Sequence, residues 1–398
     1  MLVIRIRMQL IIKDKTMVID PRIKKILEKI QSLNYQVVIV GGYVRNSLLA
    51  ITSEDYDLAT NADLNQLKDI FSFSNEFIFN QEVLMLEIEY EGLKLELSRY
   101  RKEIYEGNQL VDAKLVDSFK EDTYRRDFTM NAIGYDNETY LDYHQGRKDL
   151  EDRVIRLIGD PKTRFTEDPT RILRAMRFAS ELNLKIDDKL INYINGNISL
   201  ILDLDISSEL YRIILGDNFK YILEKFEDLF IYLAHDFLSP ISSSDQSLIK
   251  SKLDLIYYLI FKQNLKLDYL LIKKLNPKNK DIKFIEKYQN IINELKYRLF
   301  YEDIELMFAS FGASVMEKIY QDLNGLQIIN EYNLNFIEKV SKLGYLKIDQ
   351  LKVTINDLPS DYTIKVKYEI LKNLQKLIIK GFIENDEDQL KEYIDNNY

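Results

Sequence analysis

Over the first 150 residues the apolar positions fall in short runs and alternations, whereas from about residue 160 they recur every three to four positions. Val37-Val38-Ile39-Val40 is an unbroken β-branched run ending in Gly41-Gly42, which predicts a buried strand entering a tight turn. Residues 84–90 and 93–99 alternate on either side of Glu91-Gly92 and predict a hairpin. Helical spacing covers 21–33 and 65–71. The segment 168–182 opens on Asp168-Pro169, an N-cap followed by proline at the first helical position. Leu-, Ile-, Tyr- and Phe-rich helices follow to the C-terminus, interrupted near Ser239-Pro240, Asn276-Pro277 and Leu358-Pro359. With no internal repeat or disordered linker, the expected architecture is an α+β head followed by an elongated all-α remainder.

Composition narrows the chemistry. At 398 residues the chain suits two or more domains. It contains no cysteine, which excludes disulfides and thiolate metal sites. Only His144 and His235 carry imidazole, so a multi-histidine metal site is excluded as well. No apolar run reaches the roughly 20 residues that span a bilayer, and a cytoplasmic protein is expected. Residues 2–12 are apolar but interrupted by Arg5 and Arg7; they read either as an added strand or as sequence ahead of a start at Met17. The net charge of −9 is unevenly distributed. Residues 51–100 hold 3 basic and 11 acidic side chains, and residues 251–300 hold 11 basic and 5 acidic. The second block, with Lys273, Lys274, Lys278, Lys280, Lys283 and Lys287, reads either as a phosphate-contacting surface or as a solvated helical face.

Asp55-Tyr56-Asp57 is the main candidate for chemistry. In a strand, residues two apart project from one face, so these carboxylates would point together. Two such groups repel unless a cation lies between them, and Mg²⁺ is the usual oxygen-preferring choice. Thirteen residues upstream, Gly41-Gly42 with Arg45 supplies close backbone approach and positive charge for a phosphate. No Gly-x-x-x-x-Gly-Lys-Ser/Thr string exists, which disfavours a P-loop NTPase.

Further strings are more specific. Gly41-Gly42-Tyr43-Val44-Arg45, Asp55-Tyr56-Asp57, Arg125-Arg126-Asp127-Phe128-Thr129-Met130-Asn131-Ala132 and Glu167-Asp168-Pro169-Thr170-Arg171 occur in that order. Over residues 37–215 the chain resembles the class II tRNA nucleotidyltransferase and bacterial poly(A) polymerase family, within the polymerase-β-type nucleotidyltransferases. The resemblance implies a two-Mg²⁺ centre on Asp55 and Asp57, completed by Glu96 from Glu96-Leu97-Ser98. It implies phosphate contacts from Gly42, Arg45 and Arg125, and a place near the ribose for Asp127. Asp168 and Arg171 would read the base. Cytosine and adenine both offer an amino donor beside a ring-nitrogen acceptor, matching a carboxylate and a guanidinium. Arg174 and Arg177 continue the same winding strip and complete the expected nucleotide-binding set.

The expected function is template-independent addition of CCA to tRNA from CTP and ATP, with tRNA as partner. The chain would divide into a catalytic head (1–150), a base-reading neck (151–220), a helical body (221–305) and a tRNA-binding tail (306–398). Three departures qualify the match. Asn46 stands where the family has Asp. The loop at residues 105–112 lacks the usual basic residue and proline, which keeps CC-only or A-only addition open. Leu210 replaces an arginine beside Glu209. A poly(A) polymerase shares every motif, and a non-catalytic RNA-binding homologue is the alternative from another class. His235-Asp236 resembles a phosphohydrolase dipeptide but lacks the further histidines.

Overall fold

The computed structural model describes residues 17–63, 66–67, 77–80, 85–233, 238 and 240–398. Residues 2–12, most of the helix expected at 65–71, and His235-Asp236 lie outside them. The chain divides into two compact units, Met1–His235 and Asp236–Tyr398.

In the first unit, Asp20 accepts the amide of Arg22 at 2.8 Å and starts α1 (Pro21–Ser32), with proline at its first turn. Ile23, Ile26, Leu27 and Ile30 form its buried stripe, the i, i+3, i+4, i+7 spacing of one helical face. The strands are β1 (Val37–Val40), β2 (Tyr56–Thr60), β3 (Phe77–Asn80), β4 (Met85–Tyr90), β5 (Leu93–Arg99), β6 (Arg101–Glu106), β7 (Gln109–Leu115), β8 (Gly134–Tyr135), β9 (Tyr140–Leu141), β10 (Val154–Ile155) and β11 (Lys185–Ile186). Seven of them form one sheet in the order β3-β4-β5-β2-β1-β8-β9. All four residues of β1 are buried, as its unbroken apolar run predicts. β4 and β5 form the expected hairpin, with both Glu91 (φ 49°) and Gly92 (φ 76°) left-handed, the geometry of a two-residue turn. β2 pairs with β5 in parallel and with β1 antiparallel, so Asp57 lies between Val40 and Glu96.

Two pairings escape the sequence pattern. The stretch read as a loop around Gln109 is an antiparallel hairpin, β6–β7, turning at Gly107 (φ 63°) and shifting register between Ile104 and Tyr105. Its strands carry Lys102, Glu103, Glu106, Asp112 and Lys114, so no apolar alternation marks them. β10 and β11 pair in parallel over only two residues each.

The helices of this unit after α1 are α2 (Gly42–Leu48), α3 (Phe119–Thr123), α4 (Gly146–Asp152), α5 (Pro161–Glu167), α6 (Thr170–Glu181), α7 (Asp188–Asn195), α8 (Ser199–Leu202), α9 (Ser207–Leu215), α10 (Phe219–Lys225) and α11 (Glu227–Leu233). The helix expected to begin at Asp168 is a break between two helices. Asp168 is extended (φ −149°, ψ 94°), as a residue before proline tends to be. Its Oδ1 accepts the amide of Thr170 at 3.0 Å, which starts α6. Ile172, Ala175, Met176 and Ala179 of α6 are fully buried, and α9 packs against it.

The second unit holds nine α-helices among the described residues, from α12 (Ser243–Leu248) to α20 (Glu387–Asn397). They include α14 (Leu270–Leu275) and α15 (Asn279–Glu294), which carry the expected basic block. Leu351, Leu358, Leu371, Leu374, Leu390 and Ile394 form a local core near its end. Among the described residues, no helix is long and apolar enough to cross a membrane.

Candidate active site

The site begins where β1 ends. Gly41 has φ 80°, and a β-carbon there would lie 2.9 Å from Asp57 Oδ2. The turn therefore needs glycine for its left-handed backbone and for room beside the carboxylate. Tyr56, between the two aspartates, points the other way. It stacks on Tyr43 at 4.0 Å and donates its hydroxyl to Tyr43 at 2.8 Å. Asp55 lies one residue ahead of β2 and is exposed, while Asp57 is half-buried within it. Glu96 is the register partner of Asp57 across β5, and Glu87 is the partner of Glu96 on β4.

Burial pushes the Asp57 carboxyl up from its ordinary value, with Asp55 adding to the rise against the pull of Arg126 and Arg45. Glu96 rises for the same first reason, then through Asp57, Glu87 and Asp55. Among the described residues, no three carboxylate or imidazole groups form a ready metal cage. The donor set fits a hard divalent cation nevertheless: it is all oxygen, crowded with negative charge, and costly to ionise without a counterion.

A cationic wall faces these carboxylates. Asp122, fully buried, accepts Arg125 Nε at 2.7 Å on one oxygen and Arg126 Nη2 at 2.9 Å on the other. Burial opposes the ionised form of Asp122, but Arg126 and Arg125 outweigh it and hold the carboxyl below its usual range. Glu103 of β6 lies 3.5 Å from Arg125 and 2.9 Å from Arg101, and accepts the Tyr105 hydroxyl at 2.9 Å.

Arg45 donates Nη1 to Asn131 at 2.7 Å, and both Nε and Nη2 to the amide oxygen of Asn46. Asn46 thus keeps an acceptor at the position where the family has aspartate, without its charge. Asn131 in turn donates to Asp127 at 3.0 Å, and Arg174 reaches the other oxygen of Asp127 at 2.5 and 2.8 Å. Arg177 is held by Glu209 at 2.5 Å and Glu181 at 3.1 Å. Glu209 of α9 therefore performs an anchoring role that does not depend on the neighbour replaced by Leu210.

At the neck end, Arg171 is 4% exposed. Its Nη1 donates to the carbonyl of Arg164 at 2.8 Å and to Glu167 at 3.0 Å, and its Nε lies 3.7 Å from Asp168 Oδ2. Arg164 also donates to the carbonyls of Arg125 and Arg126, at 2.6 and 2.8 Å, tying α5 to the arginine segment.

One cleft of about 670 Å³ is lined by every expected site residue: Gly42, Arg45, Asp55, Asp57, Glu96, Arg125, Asp127, Asp168, Arg171, Arg174 and Arg177. That volume lies within the range of small-molecule sites. The cleft also includes Glu103, Tyr105, Arg126, Asn131, Phe178 and Arg212, to which the sequence assigned no role. Two of these carried a signal. Asn131 stands in the same quoted string as Asp127, and Phe178 follows Arg174 by four on a helix, the spacing that brings helical side chains together. Glu103 lies in a stretch without periodicity and gives none.

Residues 37–156 match the family described as the poly A polymerase head domain. The chain is 30% identical over 394 residues to a CCA-adding enzyme of Ligilactobacillus salivarius, covering 92% of this chain and 94% of that one. It is 36% identical over 179 residues to poly(A) polymerase I of Salmonella typhimurium, covering 41% of this chain and 37% of the other. The fold is shared with the crystal structure of the Bacillus stearothermophilus CCA-adding enzyme in complex with CTP. That likeness has a TM-score of 0.68 and 19% identity, and covers 95% of this chain and 98% of that one. With a sheet-based head, one motif-lined cleft and similarity over 92% of its residues, the chain belongs to the family of CCA-adding enzymes and bacterial poly(A) polymerases, the RNA nucleotidyltransferases.

Proposed function

We propose that this protein acts in the cytoplasm to add C, C and A to the 3′ end of tRNA without a template, using CTP and ATP and releasing pyrophosphate. The observation that carries the proposal is the meeting, in one cleft, of Asp55 and Asp57, a wall of arginines, and the Asp168–Arg171 pair. Similarity to a CCA-adding enzyme along 92% of this chain favours tRNA over a poly(A) tail, since the poly(A) polymerase match covers 41%.

Gly42, Arg45 and Arg125 hold the triphosphate, the arginines through charge-assisted hydrogen bonds. Asp127, fixed by Arg174 and Asn131, faces the ribose. Asp168 has Oδ1 engaged by Thr170, so Oδ2 is the oxygen that accepts the amino group of C or A while Arg171 donates to the ring nitrogen. Uracil and guanine present the opposite pattern, and each unpaired buried group costs about 1–3 kcal/mol. Two Mg²⁺ ions held by Asp55 and Asp57 would neutralise charge on the phosphates and make the 3′-hydroxyl more acidic. The hydroxyl oxygen bonds to the α-phosphorus as the bond to the pyrophosphate oxygen breaks. Glu96, the register partner of Asp57, accepts the hydroxyl proton. Arg174 and Arg177 complete the cationic wall.

Incubating the protein with tRNAs ending before CCA, after C and after CC, each with one labelled nucleotide, tests the reading. CMP should enter the first two and AMP the third, and growth should stop at CCA. Unlimited AMP addition to arbitrary RNA would establish a poly(A) polymerase. CMP alone or AMP alone would mark a partial enzyme, and no incorporation would mark a binding protein.

A further inference from the structure

Phe178 has no part in the nucleotide chemistry proposed for the cleft, yet three guanidiniums converge on its ring. The Cζ of Arg177 lies 4.1 Å from the ring centre, that of Arg45 4.7 Å and that of Arg174 5.5 Å. Phe128 meets the same ring edge-on, at 5.9 Å and 89°. Phe178 is 4% exposed and lines the cleft. Arg174 and Arg177 come from its own helix, α6, whereas Arg45 comes from α2, so the ring joins the head to the neck.

Three cations this close repel one another, and the compensation is uneven. Arg174 has Asp127, and Arg177 has Glu181 and Glu209. Arg45 has amide oxygens from Asn46 and Asn131, and no carboxylate in ion-pair range among the described residues. Burial, with Arg177 and Arg174 nearby, pushes Arg45 down to about 10 against the pull of Asp127. A π face attracts a guanidinium without cancelling its charge. A carboxylate at this point would hold Arg45 as well, but would neutralise the one guanidinium of the three that is not already ion-paired.

The geometry points to Phe178 as a positioning residue for nucleotide binding, whose ring holds Arg45 beside Arg174 and Arg177 while leaving the positive charge of Arg45 available to the incoming phosphates. This rests on the nucleotide reading of the cleft. A desolvated guanidinium–ring contact changes an equilibrium by roughly tenfold, ~1.4 kcal/mol.

The test replaces Phe178 with 4-fluoro-, 3,5-difluoro- and 3,4,5-trifluorophenylalanine, which drain the π face with little change of shape, alongside Phe178→Leu. CTP dissociation constant, KM, kcat and thermal midpoint are measured on the full chain. The dissociation constant and KM for CTP should rise stepwise with fluorine number, to about tenfold. The midpoint should hold and kcat should change less than KM, with the leucine variant at least as impaired as the trifluoro protein. A flat series overturns the role, as does a loss of affinity that only follows a falling midpoint, since that is the mark of packing. Should the unsubstituted protein fail to bind CTP, the nucleotide reading falls and takes this inference with it. Tight CTP binding with a flat series removes the role of Phe178 alone.

Discussion

Asp127 shows how much one residue gathers here. It is 7% exposed, accepts the Phe128 amide at 2.7 Å and the Asn131 side chain at 3.0 Å, and forms the ion pair with Arg174. Burial alone would raise its carboxyl; Arg174 and the two hydrogen bonds outweigh it, so the folded value lies below the ordinary 3.8. A depressed carboxyl stabilises the fold at pH above its ordinary value, and that contribution disappears as pH falls through the folded value. Urea unfolding at a series of pH values should therefore show steeper loss in wild type below about pH 4 than in Asp127→Asn. At pH 7 the variant should be less stable by about 1–2 kcal/mol, because Arg174, 39% exposed on its side chain, loses its charged acceptor but keeps water. Equal acid sensitivity in the two proteins would remove Asp127 as the cause. For the centre itself, Asp57→Ala should abolish Mg²⁺-dependent nucleotide incorporation while leaving the far-ultraviolet dichroism unchanged, and retained turnover would sink the metal assignment. The residues of both assignments stand in short strings with fixed neighbours, which makes them legible in the sequence. Asp122 lies only three residues ahead of Arg125, but nothing local reveals its burial beneath two arginines.

At the scale of elements, the Gly41 turn and the β6–β7 hairpin set the shape of the cleft. Gly41→Ala forces alanine into a positive-φ backbone (φ 80°, ψ −136°) that is nearly confined to glycine, costing about 1–3 kcal/mol, and drives its methyl into Asp57. Chemical unfolding should report that modest loss, and the kcat of nucleotide addition should fall by more than the stability change explains. A variant with normal kcat would show that Asp57 tolerates displacement. The hairpin acts through Glu103, shared by Arg101, Arg125 and Tyr105. Arg101 Nη1 is buried without a partner, so Glu103→Gln leaves two neighbouring guanidiniums with weaker compensation. KM for CTP should rise about tenfold, the effect of ~1.4 kcal/mol, with Arg125 held by Asp122 alone. An unchanged KM would reduce the hairpin to a cover. Strands β4 and β5 are legible because their apolar residues alternate with the period of a pleated sheet, and β1 because it is an unbroken β-branched run ending in glycines. β6 and β7 are not, because both faces of that hairpin are largely polar. The break at Asp168 reads as a helix start in the sequence, since a residue before proline suits either.

For the whole molecule, the proposed function leaves nucleotide binding to the first unit and calls for a tRNA-contacting surface on the second. Lys273, Lys278, Lys280, Lys283 and Lys287 on and around α14 and α15 are exposed, as a phosphate-contacting face requires. Replacing all five with alanine should raise KM for tRNA and lower the magnitude of its salt slope, by roughly one for each phosphate no longer neutralised. CTP affinity should be unaffected. An unaltered salt slope would leave these lysines as a solvated face. The sequence alone determined the head-then-helices order, the absence of thiolate and multi-histidine chemistry, and the residue types of the site, because composition, hydrophobic period and motif spacing are properties of the chain itself. It could not determine that eleven positions spread from Gly42 to Arg177 would line one cleft of about 670 Å³. Nor could it reveal that Asp57 and Glu96 would be register partners, or that Phe178 would lie among three arginines. Those facts depend on strand order and on the packing of α6 beside the sheet-bearing head. Register and packing join residues far apart in the chain, and no local pattern encodes which of them meet.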